Sequence, residues 1–91
     1  MPRYMVERYL PGITSDQLTL AARSAKSATA QMTQEGTPVR YLRSTFIPEA
    51  EKCFCLFEGP SEEAVRKANE RAQIPFERIH QAEFITAEEL D

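Results

Sequence analysis

Short runs of β-branched and aromatic residues alternate along this chain with longer segments whose apolar residues recur every three or four positions. The first pattern is typical of strands and the second of amphipathic helices. The predicted strands are residues 3–9, 39–47, 52–58 and 76–85. Helices are predicted after Thr14 and after Ser61. The order β-α-β-β-α-β predicts a ferredoxin-like α+β sandwich, in which two helices cover one face of a four-stranded antiparallel sheet.

Each predicted boundary carries its own sequence signal. Thr14 and Gln17 match the capping box that opens a helix, and Ser61 is a good N-cap for the second helix. Gly36 is a typical helix stop, and Ile74-Pro75 should end the second helix. A chain of 91 residues fits a single domain, here with a short C-terminal tail at 86–91. In the predicted sheet the first and third strands are central and parallel to each other, and the second and fourth are edges.

The second face of this sheet lacks the polar alternation of a face that meets solvent. In the third strand, Phe54 and Leu56 point one way and Cys53, Cys55 and Phe57 the other. In the second strand, Leu42 and Phe46 share one face and Val39, Tyr41 and Ile47 the other. Both faces of this hairpin are therefore expected to be apolar, and such an exposed patch predicts a homodimer formed by a two-fold contact. The alternative cover, the C-terminal tail at 86–91, is too short and too acidic for an apolar face.

Composition and charge narrow the function classes. Hydrophobic residues make up 42% of the chain and charged residues 27%, which is ordinary for a globular domain, and the net charge of -3 argues against a nucleic-acid footprint. Glu7 and Arg8 interrupt the only apolar run near the N-terminus, and no run is long enough to span a bilayer. We therefore expect a cytoplasmic protein without a membrane partner.

Cys53 and Cys55 stand two apart on a predicted strand, with Cα atoms about 6.5–7 Å apart, at the outer limit for a disulfide. We expect free thiols. Two Cys and one His cannot supply a four-ligand zinc site of the structural kind. The two thiols could still be a soft metal-ligand pair, or simply buried small hydrophobes. His80, the only imidazole, lies on the fourth strand and could approach Glu7 or Arg8.

Glu7 and Arg8 are neighbours in the first strand, so they must point to opposite faces and cannot form one site. One of them is expected to be buried, where a charge needs a partner. The candidate partners are Arg40, Arg43 and Glu58, and the simplest interpretation is a structural ion pair.

Four segments carry a resemblance to a known family: residues 1–8, Tyr41-Leu42-Arg43-Ser44, Phe54-Cys55-Leu56 and residues 59–66. They resemble a small bacterial family, most of whose members have no known function. The family includes a nickel-binding, nickel-responsive cytoplasmic protein with a dimeric ferredoxin-like fold. The resemblance covers residues 1 to about 85, and it implies the fold, the dimer and a role for Ni(II).

This chain departs from relatives at several metal-ligand positions. Some relatives carry an Asp-x-His pair where Val6 and Arg8 stand here, and others a His in place of Arg43. A fixed guanidinium charge opposes cation binding. The resemblance therefore leaves a metal role to Glu7 or to the candidate metal ligands Cys53, Cys55 and His80.

Three functions remain open from the sequence. The first is a small dimeric binding protein for nickel or another divalent metal. The second is a small-ligand binder or cofactor-free enzyme, similar to monooxygenases or cyclases, which needs a closed apolar cavity of at least about 300 Å³ between sheet and helices, with polar groups converging on it. The third is a structural or interaction module. The predicted ligand-binding residues are Tyr4, Glu7, Arg8, Tyr41 and Arg43, with His80 nearby.

Overall fold

The computed structural model describes residues 1–91 and contains four strands, two helices and a C-terminal 3₁₀ turn. These are β1 (Arg3–Tyr9), α1 (Ser15–Gln34), β2 (Arg40–Ile47), β3 (Lys52–Glu58), α2 (Glu62–Ala72), β4 (Arg78–Ala82) and the turn Ala87–Glu89. The strands form one antiparallel sheet in the order β2-β3-β1-β4. The predicted ferredoxin-like arrangement is confirmed. Neither helix combines the length and the apolar character that crossing a membrane requires.

The two central strands are β1 and β3, as predicted, but they run antiparallel, so the expectation of a parallel central pair is wrong. The reason is topological. The chain leaves β1 through α1 and returns as β2 in the same direction, and the following hairpin then reverses it into β3. β4 is also shorter than the predicted 76–85, since only Arg78–Ala82 pair with β1.

Both helices begin where their capping residues predicted. Thr14 Oγ1 accepts a hydrogen bond from the backbone N–H of Gln17, and the Gln17 side chain accepts one from the N–H of Thr14. Ser61 Oγ accepts from the N–H of Ala64 in α2. α2 ends slightly before Ile74-Pro75, because Gln73 adopts the left-handed conformation with φ 58°.

The hydrophobic core lies between the sheet and the two helices. Val6 and Phe57 from the central strands and Val65 from α2 are fully buried there. The ring centroids of Tyr41 and Phe57 are 5.5 Å apart, so side chains of β2 and β3 also pack against each other on this side. α1 contributes mainly alanines, whose small side chains let it approach the sheet closely. We call this side of the sheet the core face.

A β-bulge between Tyr41 and Arg43 changes which residues of β2 face the core. An extra residue in one strand shifts the alternation beyond it. Tyr41 pairs with Phe57 on the core face, but Ile47 pairs with Lys52 on the opposite side, so the prediction that these two share a face is wrong.

The opposite side of the sheet, which we call the open face, is more polar than the sequence pattern indicated. Its residues are Arg3, Met5, Glu7, Tyr9, Arg40, Arg43, Thr45, Ile47, Lys52, Phe54, Leu56, Glu58, Arg78, His80 and Ala82. Ion pairs join Glu58 to Arg3 and Arg40, and Glu7 to Lys52 and Arg78. The expected continuous apolar patch is therefore broken by a charge network.

The C-terminal segment covers one end of the open face. The ring of Phe84 lies 4.2 Å from the guanidinium carbon of Arg3 in β1 and 5.2 Å from that of Arg43 in β2. Because β3 runs between those two strands, the ring lies above β3 near Leu56, which is only 2% exposed. The residues just before the predicted tail thus provide a cover that the sequence did not suggest.

Candidate functional site

Arg8 is the most unusual residue of the core face. It is 1% exposed, and its guanidinium contacts no carboxylate. Nη2 donates to Asn69 Oδ1 at 2.5 Å, Nε donates to Cys55 Sγ at 3.2 Å, and Nη1 reaches the carbonyl of Pro75 at 3.5 Å. The predicted partners were wrong: Arg40, Arg43 and Glu58 all lie on the open face.

Cys55 stands at the centre of a polar cluster within this apolar core. Besides Nε of Arg8, Ser44 Oγ lies 3.0 Å from its sulfur and Cys53 Sγ lies 3.7 Å from it. The hydroxyl of Tyr41 hydrogen-bonds to that of Ser44 at 2.7 Å. Both cysteines are free and buried, as expected, and both face the core because they are two apart on β3.

The surroundings of the two thiols shift their pKa values in opposite directions. The pKa of Cys55 is lowered, chiefly because Cys53 donates a hydrogen bond to its sulfur, and the positive charge of Arg8 adds to this against the opposing effect of burial. The pKa of Cys53 is raised by that same hydrogen bond and by burial. Of the two cysteines, Cys55 is therefore the one whose ionised form its surroundings favour.

A small cavity lies against this cluster, between the sheet and α1. Its lining residues are Arg8, Leu10, Leu18, Ala21, Ala22, Ala25, Ser44, Cys53, Cys55 and Ile74. The cavity volume is about 10 Å³, which has room for about one water molecule. This is far below the 300 Å³ or so of the closed cavity that a substrate pocket between sheet and helices would need.

The predicted ligand-binding residues do not converge on one site. Tyr4, Arg8 and Tyr41 lie on the core face, whereas Glu7 and Arg43 lie on the open face. This separation follows from the two-residue repeat of a strand, which sends Glu7 and Arg8 to opposite sides as the sequence indicated.

Glu7 and His80 form a second polar site, on the open face. Nε2 of His80 donates to Glu7 Oε1 across the β1–β4 pairing at 2.9 Å, as the strand order predicted. Lys52 Nζ lies 2.6 Å from Glu7 Oε2, and Arg78 Nε lies 3.9 Å from Oε1. The hydrogen bond from Lys52, followed by the one from His80, lowers the pKa of Glu7 to about 2, so Glu7 is a carboxylate at neutral pH.

The candidate metal ligands are divided between the two faces. Cys53 and Cys55 point into the core and His80 points outward, so one chain cannot join them in a single site. No group of three or more His, Cys, Asp or Glu side chains lies close enough together to hold a metal ion. Within one chain, side chains of these four types therefore come together at most in pairs.

Sequence reasoning missed Asn69 and the carbonyl of Pro75 as partners of Arg8. Asn69 did carry a signal, because it follows Val65 by four residues and so shares the apolar face of α2. A polar residue on such a face indicates a buried polar partner.

These features define a ferredoxin-like sandwich with a buried arginine–cysteine cluster on one side of its sheet and a carboxylate–imidazole pair on the other. The chain belongs to the family described as nickel responsive protein SCO4226-like, whose family model matches residues 4–82. The resemblance noted in the sequence is thus confirmed. The chain is also similar to the crystal structure of SCO4226 from Streptomyces coelicolor A3(2), with 29% identity and a TM-score of 0.74, over 92% of this chain and 99% of that chain. Among curated proteins, none matches this chain.

Proposed function

We propose that this chain is a small cytoplasmic nickel-responsive protein that binds Ni(II) through Glu7 and His80 on the open face of its sheet. Two observations support the proposal: membership of a nickel-responsive family, and the 2.9 Å separation of His80 Nε2 and Glu7 Oε1. Imidazole is a good ligand for nickel, and Glu7 is already ionised at neutral pH.

The cysteine pair is a poorer candidate for a divalent cation. The guanidinium of Arg8 is fully buried against Cys55 Sγ and cannot lose its proton. A divalent ion at that sulfur would face this fixed positive charge in a region of low dielectric constant. The charge of Lys52 beside Glu7 opposes a bound cation less than the buried charge of Arg8 does. The side chain of Lys52 is one-third exposed and flexible, so its ammonium group can move away into solvent.

A homodimer would complete the site. Glu7 and His80 are only two ligands, and a two-fold axis through this region would bring a second pair to the same ion. The part of the open face that Phe84 leaves uncovered also carries apolar side chains, since Tyr9 is 49% exposed and Ile47 is 41% exposed. Such residues beside the metal pair are suited to a sheet-to-sheet contact between two copies.

Calorimetric titration of the metal-free protein with Ni(II), alongside light scattering after size-exclusion chromatography, tests this proposal. We expect a stable dimer that binds one Ni(II) per two chains at micromolar metal. The His80→Ala variant should lose binding and Glu7→Gln should weaken it strongly. Lys52→Gln should bind more tightly, because it removes the cation that competes for Glu7.

The matched control is the Cys53→Ser variant, which keeps Cys55 beside Arg8 and should bind Ni(II) as the parent does. If that variant loses binding and His80→Ala keeps it, the nickel site is at the thiols and our assignment is wrong. A monomer that binds no Ni(II) would instead favour an interaction module.

A further inference from the structure

The buried charge of Arg8 needs a counter-charge, and the core face offers one candidate. Arginine stays protonated in proteins, and an uncompensated buried charge costs several kcal/mol. The groups that touch the guanidinium are the Asn69 amide, the Pro75 carbonyl and the Cys55 sulfur. Of these three, only Cys55 can become an anion. Charge balance therefore independently identifies Cys55 as a thiolate.

The other groups around Cys55 are suited to hold that anion. Ser44 and Cys53 can each donate a hydrogen bond to the sulfur. Ser44 Oγ lies 3.0 Å and Cys53 Sγ lies 3.7 Å from Cys55 Sγ. Tyr41, the remaining titratable neighbour, stays a neutral phenol because burial raises its pKa. The cluster therefore contains one cation, one anion and three neutral donors.

We propose that Cys55 is an oxidation site for hydrogen peroxide, with Arg8 as the residue that keeps its sulfur ionised and positioned. The thiolate attacks one peroxide oxygen, so that an S–O bond forms and the O–O bond breaks. The departing hydroxide takes the proton of the oxygen that was transferred and leaves as water. The sulfur is oxidised to a sulfenate, peroxide is reduced, and the single negative charge that pairs with Arg8 is retained.

The cavity beside Cys55 limits which oxidants can react. Its lining residues include Arg8, Ser44 and both cysteines, and its volume of about 10 Å³ is close to that of one water molecule. Hydrogen peroxide is little larger than water, whereas aromatic disulfides and alkylating amides are far too large. A thiolate that is 5% exposed should therefore combine fast reaction with peroxide and slow reaction with bulky reagents.

The strand geometry opposes conversion of the sulfenate to a disulfide. Cys53 and Cys55 are two apart on β3, where extended backbone holds their Cα atoms about 6.5–7 Å apart. That spacing is at the limit for a disulfide, and β3 is paired on both sides, by β1 and β2. We expect the oxidised product to remain a sulfenate that an added thiol reduces back.

The test exposes the reduced full chain to hydrogen peroxide and locates added oxygen by peptide mass spectrometry, with a sulfenate-trapping dione present. The expected result is one trapped sulfenate at Cys55, with Cys53 unmodified. The rate should stay constant from neutral to mildly acidic pH, following the ultraviolet absorbance of the thiolate. A bulky aromatic disulfide should react at least tenfold faster after unfolding in urea than before.

Variants separate the roles within the cluster. Cys55→Ser should abolish the reaction, whereas Cys53→Ser should still give the adduct at Cys55. Arg8→Met should slow it at least tenfold at neutral pH, since an ordinary cysteine is only a few per cent thiolate there. If Arg8→Met does not fold, Asn69→Asp keeps the arginine but offers it another anion, and should shift the rate profile to higher pH.

Four outcomes would overturn the proposal: oxidation at Cys53, a Cys53–Cys55 disulfide, no thiolate absorbance at neutral pH, or a rate that Asn69→Asp and Arg8→Met both leave unchanged. The His80→Ala variant should react with peroxide as the parent does. The absence of nickel binding would therefore not contradict the peroxide proposal, and the absence of peroxide oxidation would not contradict the nickel proposal.

Discussion

Asn69 on α2 and Arg8 on β1 are joined by a hydrogen bond of 2.5 Å between Oδ1 and Nη2, buried at the contact between the second helix and the centre of the sheet. The same side chain donates from Nδ2 to the carbonyl of Val65 at 2.8 Å. Asn69 thus fixes a buried cation to a helix without adding a charge of its own. The ionisable group that touches the guanidinium is then the thiol of Cys55.

We expect Asn69→Ala to destabilise the protein by about 1–3 kcal/mol, because it leaves one donor of a buried guanidinium without an acceptor. Urea unfolding followed by circular dichroism measures this. The exposed Gln81→Ala is the control and should change the free energy of unfolding by less than about 0.5 kcal/mol. Equal values for both variants would mean that the Asn69 contact contributes nothing.

The two phenylalanines of β3, Phe54 and Phe57, should respond very differently to truncation. Phe57 is fully buried on the core face, so Phe57→Ala should cost about 3–5 kcal/mol, a large share of the stability of a small domain. Phe54 is half-buried on the open face, so Phe54→Ala should lower the free energy of unfolding clearly less. Thermal unfolding of both variants compares them, and a larger loss for Phe54→Ala would contradict the assignment of faces.

Removal of the Phe84 ring should release the C-terminal segment from the sheet. Phe84→Ala removes two cation–π contacts, from Arg3 and Arg43, each worth about 0.5–1 kcal/mol at an exposed site. We expect faster amide hydrogen exchange in residues 83–91 with little change in the core strands. The Ile85→Ala variant, whose side chain is exposed, serves as the control. Unchanged exchange in Phe84→Ala would show that the ring does not hold the segment.

The ion pair between Glu35 and Arg71 should make stability depend on pH in the acidic range. Arg71 donates from Nη1 and Nη2 to the two carboxylate oxygens of Glu35 at 2.9 Å and 2.8 Å, and these bonds lower the pKa of Glu35. A carboxyl group whose pKa is lowered on folding stabilises the protein above its unfolded pKa, near 4.5, and loses that effect as pH falls through its folded value.

Glu35→Gln should therefore melt slightly below the parent at neutral pH and should approach it as the solution is acidified below pH 4.5 or so. Thermal melts over a pH series measure the difference. Glu49→Gln, an exposed turn residue, is the matched control. A difference that grows on acidification would have the wrong sign for this ion pair.

The local sequence determined the elements and most of their boundaries. Thr14 and Ser61 cap the helices as predicted, because an N-cap depends only on residues within one turn of it. The two-residue repeat of a strand likewise sufficed to send Glu7 and Arg8 to opposite faces and to place the two cysteines together.

The tertiary structure decided what those side chains meet. The bulge after Tyr41 moved Ile47 to the open face, and a bulge depends on pairing with another strand rather than on local pattern. The contacts of Arg8 with Cys55 and Asn69 span 47 and 61 residues of sequence, so no local periodicity could reveal them. The sequence by itself thus determined the fold and the candidate residues. The pairing of β1 with β3 decided that the buried cation lies beside a thiol, and the packing of α2 gave it the amide of Asn69. The pairing of β1 with β4 decided that the single histidine meets a carboxylate on the other side.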